Sequence, residues 1–154
     1  MQWADALETT AFAAALRNSV WVYPLINAAH ILGVALLVGA MVPLDLRLLG
    51  VWPGVPLAPL RRVLTVTAAA GLALAVAAGS LLFIARAGDY ATSPLFLSKM
   101  TVVAIGVTNA LALQIGSRMP SAIASATGWC RMAAAISLLC WLSALTLGRL
   151  IGYF

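Results

Sequence analysis

Residues 19–50 read SVWVYPLINAAHILGVALLVGAMVPLDLRLLG, a long apolar run that ends in the charged segment Asp45-Leu46-Arg47. About 20 helical residues cross the roughly 30 Å hydrocarbon core of a bilayer, so the apolar part of the stretch is long enough to span one. It also contains His30, the only histidine of the chain. We therefore predict a spanning helix over residues 20–48 that carries a histidine inside the membrane.

The composition of the whole chain agrees with this reading. Of the 154 residues, 64% are hydrophobic and 8% are charged, whereas globular proteins have about 25% charged residues. Only helices or closed barrels satisfy the backbone in lipid, and long Ala, Leu and Val runs without alternation favour helices. The net charge of +5 comes from Lys and Arg placed singly at the edges of apolar runs. This arrangement favours membrane topology and argues against a nucleic-acid partner.

Four apolar runs and one shorter amphipathic segment make up the chain. Residues 3–17 are too short and too polar to span, and they predict an interfacial helix. The spans are expected at about 20–48, 61–84, 95–115 and 129–151. Short connections should make consecutive spans antiparallel neighbours. The prediction is an all-α integral membrane four-helix bundle, with residues 1–154 forming a single transmembrane domain and a short interfacial helix at the N-terminus.

The distribution of cationic residues predicts the orientation. One side of the predicted bundle holds Arg47, Arg61, Arg62, Arg118 and Arg131, and the other holds Arg17, Arg86, Lys99 and Arg149. Because cytoplasmic loops carry the excess of Lys and Arg, the first set should face the cytoplasm. We therefore expect a multi-pass protein of the bacterial inner membrane with both termini in the periplasm.

Polar side chains inside the spans mark the candidate site. Tyr23, Asn27 and His30 follow one another at i, i+4 and i+7 on a helix, so they should share a stripe that faces other helices rather than lipid. Lys99 and Arg149 should lie near the same membrane face. Each could extend to the interface alone, or the two could together form a cationic mouth for an anion, a haem propionate or an acidic partner.

The sequence is compatible with four roles for His30. The imidazole could be an axial haem ligand, a copper ligand, a proton-handling group, or a packing residue bonded to Asn27 or to another helix. The methionines are spread over different helices, which argues against a dedicated copper cluster. A single histidine would leave haem with a weaker second ligand such as Met100 or Lys99, with an open position, or with a second His30 across a two-fold dimer.

Three further polar residues are interpreted as structural. Asp45 and Arg47 are two apart on a helix and face different directions, so each needs partners from elsewhere in the chain. Asn109 is expected to hydrogen-bond across helices.

Small residues repeat every four positions on the second span, at Gly71, Ala75 and Gly79. This spacing lets a neighbouring backbone approach closely. It predicts a helix-packing face that carries self-association or docking to a larger membrane complex.

Several of these residues resemble those of a family of four-helix bacterial inner-membrane proteins of unassigned function. The shared features are Tyr23-Pro24, His30 followed by Leu32-Gly33, the segment Leu44-Asp45-Leu46-Arg47-Leu48-Leu49-Gly50, Phe96 with Lys99, Asn109, and Gly148-Arg149. More distantly, a histidine in one span and a lysine at the start of a later one is similar to the CopD copper-resistance proteins and the HemJ-type haem-pathway proteins, which resemble b-type cytochromes. This resemblance implies handling of haem b or copper. Four-helix b-type cytochromes generally supply several histidines, and this chain has one.

Signatures of catalysis are weak, because the sequence has no nucleophile triad, no Cys/His metal spacing and no phosphate-binding loop. An enzymatic role is left undecided and is less expected than binding. We expect an integral inner-membrane protein that handles haem b or copper at His30, in electron transfer or in metal or haem homeostasis. Two alternatives stay open: that no cofactor is bound, and that the chain is a non-catalytic accessory subunit of a homo-oligomer or larger membrane complex.

Overall fold

The computed structural model describes residues 2–116 and 127–153, which form seven α-helices and no strand. The helices are α1 (Gln2–Glu8), α2 (Ala11–Asn18), α3 (Val22–Leu49), α4 (Leu57–Ala85), α5 (Ala87–Thr92), α6 (Pro94–Gly116) and α7 (Thr127–Leu150). Four of them, α3, α4, α6 and α7, are long and apolar enough to cross a membrane. The predicted all-α membrane bundle is confirmed. Most of the connection expected between α6 and α7, with Arg118 in it, lies outside the described residues.

The N-terminal segment is two helices, so the expectation of one interfacial helix over residues 3–17 is wrong. α1 ends at Glu8, and α2 begins after Thr10, whose hydroxyl accepts a hydrogen bond from the backbone N–H of Ala13 at 3.2 Å. The Thr9 hydroxyl donates to the carbonyl of Asp5 at 2.9 Å. The Thr10 bond is that of an N-cap residue, which marks the start of a helix. The connection between the second and third spans also contains a short helix, α5.

α3 and α4 cross with their backbones in contact. A Cβ atom added to Gly33 of α3 would lie 2.5 Å from the backbone nitrogen of Ala75 and 2.8 Å from the carbonyl oxygen of Gly71. A Cβ added to Gly71 would lie 2.6 Å from the backbone nitrogen of Leu37. The small-residue face of α4 is therefore filled by α3 of the same chain. The predicted helix-packing face is therefore used within the chain, and self-association or docking to a larger complex stays a prediction.

Close helix packing continues from α3 to α7 and from α7 to α6, whereas α4 and α6 are not a closely packed pair. The expectation that consecutive spans are neighbours is therefore wrong for α4 and α6. A cavity of about 160 Å³ lies where the four long helices meet. Its lining includes Met41, Leu72, Val107, Gln114 and Trp141. Side chains of α4 and α6 line this cavity, and the two backbones are not in close contact.

The turn after α3 is held by backbone geometry and by one arginine. Gly50 has a φ of 105°, a left-handed conformation that suits glycine at a helix C-terminus, and its N–H donates to the carbonyl of Arg47 at 3.2 Å. The Arg47 guanidinium donates to the carbonyl oxygens of Val55 at 2.8 Å and Pro53 at 3.1 Å. Arg47 thus satisfies carbonyl groups of the turn that carries the chain into α4.

The α3–α4 contact can be tested with two glycines of the same helix. Gly33→Ala should lower the free energy of unfolding by about 1–3 kcal/mol, the usual cost of overpacking. Gly39 has nothing within 4 Å of a Cβ position, so Gly39→Ala should leave stability unchanged or raise it by up to about 1 kcal/mol through helix propensity. Thermal unfolding in detergent measures both variants. Equal effects of the two changes would contradict the packing described.

Candidate functional site around His30

The imidazole of His30 is held against α4 by one hydrogen bond and one glycine. Its Nδ1 lies 2.8 Å from the carbonyl oxygen of Ala75. Because a carbonyl only accepts, Nδ1 must carry the hydrogen and donate it. On α4, a Cβ at Gly79 would lie 3.0 Å from Cε1 and 3.1 Å from Nδ1 of the ring, so glycine leaves the ring its space. The Nε2 atom, which bonds no described residue, is the nitrogen left for a ligand.

The predicted polar stripe on α3 is only partly formed. Tyr23 and His30 are half-buried, but Asn27 is exposed and does not bond His30. The expectation that all three face other helices is therefore wrong for Asn27. The reason is helical geometry: at 3.6 residues per turn, Tyr23 lies about 20° around the helix from His30, whereas Asn27 lies about 60° away. A neighbouring helix, rather than Asn27, provides the partner of the ring.

Lys99 of α6 approaches His30, but Arg149 of α7 does not. The Lys99 side chain runs over Gly148, where a Cβ would lie 3.5 Å from both Cε and Nζ, and its ammonium is close enough to interact electrostatically with His30. No carboxylate of the described residues forms an ion pair with Lys99. Arg149 is exposed and donates to the Tyr153 hydroxyl at 2.6 Å. These contacts do not favour the alternative in which Lys99 and Arg149 together form a cationic mouth.

An aromatic cluster closes this end of the bundle. Its members are Trp3 of α1, Phe83 of α4, Tyr90 of α5 and Phe96 of α6, and the ring centroids of successive pairs lie 5.2–6.4 Å apart. Burial raises the pKa of the Tyr90 phenol, and Tyr23 nearby acts in the same direction. The cluster bridges α4 and α6 where their backbones do not pack closely. Sequence reasoning missed it because the four rings come from four separate segments.

The two N-terminal helices are fastened to the junction between α4 and α5. The Arg17 guanidinium donates to the carbonyl oxygen of Ala85 at 2.7 Å and pairs with Glu8 at 3.2 Å. The other carboxylate oxygen of Glu8 accepts a hydrogen bond from the backbone N–H of Gly88 at 2.9 Å. Through these contacts Glu8 and Arg17 hold α1, and with it Trp3, over the end of the bundle where His30 lies.

Asn109 and Asp45 lie toward the opposite end of the bundle, which we call the arginine end because Arg47, Arg61 and Arg131 lie there. Asn109 of α6 donates to the carbonyl oxygen of Ala133 of α7 at 2.9 Å, a bond across two helices. Asp45 is 1% exposed and does not pair with Arg47, which bonds the turn after α3. These residues are therefore separate from the His30 site.

The number of protein ligands near His30 limits the kinds of metal centre that the site could hold. Among residues 2–116 and 127–153, no three His, Cys, Asp or Glu side chains come together as a metal site. Met100 follows Lys99 on α6 and is 39% exposed. The site therefore offers one anchored imidazole nitrogen beside one cation, rather than a shell of several protein ligands.

The orientation of His30 gives a direct spectroscopic prediction. With one histidine in the chain, ¹⁵N-histidine labelling gives a single imidazole signal pair. We expect a protonated Nδ1 whose N–H is bonded to a carbonyl. Gly79→Ala should shift both signals because its Cβ would press on the ring, whereas Gly39→Ala should shift neither. Spectra that place the only ring proton on Nε2 would contradict the Ala75 bond.

The structure thus brings His30, Lys99 and Gly79 together, adds the aromatic cluster above them, and leaves Asn27 and Arg149 outside. No known protein family, no curated protein and no solved structure matches this chain.

Proposed function

We propose that this chain is an integral membrane protein that binds haem b through Nε2 of His30. The observation that supports this most is the bond from Nδ1 to the Ala75 carbonyl. Metal-binding histidines almost always donate their second ring N–H to a carbonyl, a carboxylate or water, which fixes the ring and makes the ligating nitrogen more basic. His30 has this arrangement with a partner from another helix.

Haem suits the donors near His30 better than a copper ion does. A bare metal ion takes several ligands from the protein, and the described residues provide no cluster of three. A porphyrin itself supplies four nitrogens to iron, so the protein needs to add one or two axial ligands. A single anchored histidine is sufficient for that purpose. Bound haem would supply reversible one-electron chemistry.

Lys99 and the aromatic cluster fit the same proposal. Haem carries two propionate groups, and the ammonium of Lys99 is a half-buried cation without an ion-pair partner among the described residues. A charge-assisted contact with a propionate would neutralise it. The rings of Phe83 and Phe96, 5.5 Å apart, are apolar surfaces next to which a porphyrin plane can pack.

The haem proposal is tested with the purified chain in mild detergent, supplied with haem b. Wild type should give a haem absorption spectrum, and its iron content should equal its haem content. A site within one protomer predicts one haem per chain, and a His30 pair across a dimer predicts half a haem per chain. His30→Ala should abolish the spectrum with helical content intact, and Lys99→Met should weaken haem binding about tenfold, as changes beside a metal ligand typically do.

Asn27→Ala is the matched control, since Asn27 lies on the same helix and is exposed. It should bind haem as wild type does. A wild type that binds copper and no haem would replace haem with copper as the ligand. A chain that binds neither, with His30→Ala indistinguishable from wild type, would refute a cofactor role and favour an accessory subunit of a larger membrane complex.

We further propose that the chain lies in the bacterial inner membrane with both termini in the periplasm. Four spans return the chain to the side on which it starts. The sequence assigns five cations to the opposite side, Arg47, Arg61, Arg62, Arg118 and Arg131, against four on the side of the termini, which favours the opposite side as cytoplasmic. A reporter active only in the cytoplasm, fused to either terminus, should give no signal. A strong signal from both fusions would reverse the orientation.

A further inference from the structure

Asp45 is a carboxyl group enclosed within the bundle, away from the His30 site. It lies on α3 five residues before Gly50, which places it about 7 Å inward from the end of that helix. The side chain is 1% exposed, and neither carboxyl oxygen has a hydrogen-bond partner among the described residues. An ionisable residue in this position within a membrane is a functional candidate by default.

The side chain beside Asp45 is a hydroxyl that also lacks a partner. Ser137 of α7 is fully buried and lies next to the carboxyl group, without a well-formed hydrogen bond in the described structure. One turn deeper, Met41 of α3 and Trp141 of α7 belong to the same buried cluster. The indole N–H of Trp141 is likewise unpartnered there. The α3–α7 interface therefore encloses polar atoms whose hydrogen-bonding capacity is unused.

No cation on the described helices packed against α3 forms a hydrogen bond or ion pair with Asp45. Arg47 bonds the carbonyl oxygens of the turn, Arg61 of α4 donates to the carbonyl of Leu113 at 3.4 Å, and Arg62 is exposed. On α7, Arg131 is exposed near Gly50 and Arg149 lies at the opposite end, while Cys130 and Cys140 are uncharged thiols. Arg17 of α2 is bound to Glu8. None of these groups forms an ion pair with Asp45 in the part of the chain described.

An ionised carboxylate buried without a partner is costly, at several kcal/mol even after relaxation of the protein. A neutral carboxylic acid has no such charge and can donate one hydrogen bond to a hydroxyl oxygen. We propose that Asp45 and Ser137 form a proton-binding site inside the bundle, in which the carboxyl group carries the proton and shares it with the Ser137 hydroxyl. The arginine end is the nearer exit to water for this proton.

The proton-binding site is tested by infrared spectroscopy of the full chain in lipid at neutral pH. The chain has four acidic residues, and Asp45 is the one enclosed in the bundle. Wild type should show the carbonyl stretch of a protonated carboxyl group. The band should be absent in Asp45→Asn and retained in Asp89→Asn, a control at an exposed aspartate outside the spans. Ser137→Ala should move the band to higher frequency, because the hydrogen bond is lost.

Labelling aspartate with ¹³C in wild type assigns the band to an aspartate without a mutation, should Asp45→Asn fail to fold. Of the three aspartates, Asp5 and Asp89 are exposed and Asp45 is enclosed in the bundle. The label should lower the frequency of the band. Absence of the band in wild type, its persistence in Asp45→Asn, or no shift on labelling would overturn the proposal. Loss of the band on adding sodium chloride at constant pH would also overturn it, since the carboxylate would then hold a metal cation rather than a proton. His30→Ala should leave the band unchanged, so this result is independent of haem binding.

Discussion

The backbones of α3 and α4 touch at Gly33 and Gly71, and this contact sets the geometry of the bundle around His30. Helices in lipid gain little from hydrophobic burial against one another, so close packing and hydrogen bonds must hold them together. Gly33 and Gly71 allow the two backbones to touch. At that separation the Ala75 carbonyl comes within hydrogen-bonding distance of His30, and Gly79 leaves room for the imidazole ring. The geometry of the candidate site is therefore a direct consequence of how α3 packs on α4.

The intramembrane ionisable residues are accommodated in three different ways. His30 donates to a backbone carbonyl. The Lys99 side chain packs over Gly148 of α7. Asp45 lies beside a serine hydroxyl and has no hydrogen-bond partner among the described residues. Polar groups in lipid are expensive and tend to face the bundle interior. The chain keeps His30 and Lys99 near one end and Asp45 near the other, so any chemistry at one site is separated from the other along the length of α3.

Hydropathy was sufficient to predict the four spans, because each is a long uninterrupted apolar run. The spacing of Gly71 and Ala75 predicted that the backbone of another helix approaches α4 closely. It did not predict which helix, because several spans carry faces of small residues. The break between α1 and α2 could have been predicted from Thr10, because threonine is a favoured N-cap residue and an Ala-rich turn follows it. The position of Asp45 beside Ser137 and the aromatic cluster depend on the rotation and register of distant helices. A single sequence does not encode those in any local pattern.

The contacts that hold α1 and α2 on the bundle also constrain the order in which the protein assembles in the membrane. Arg17 and Glu8 bind the Ala85 carbonyl and the Gly88 amide, which belong to the junction that follows the second span. Those partners do not yet exist in the membrane when the first span leaves the ribosome. The N-terminal segment can therefore dock on the bundle only after α4 has been inserted into the membrane. Its docking, which also brings Trp3 onto Phe83, is a late step of biogenesis that completes the enclosure of the His30 site.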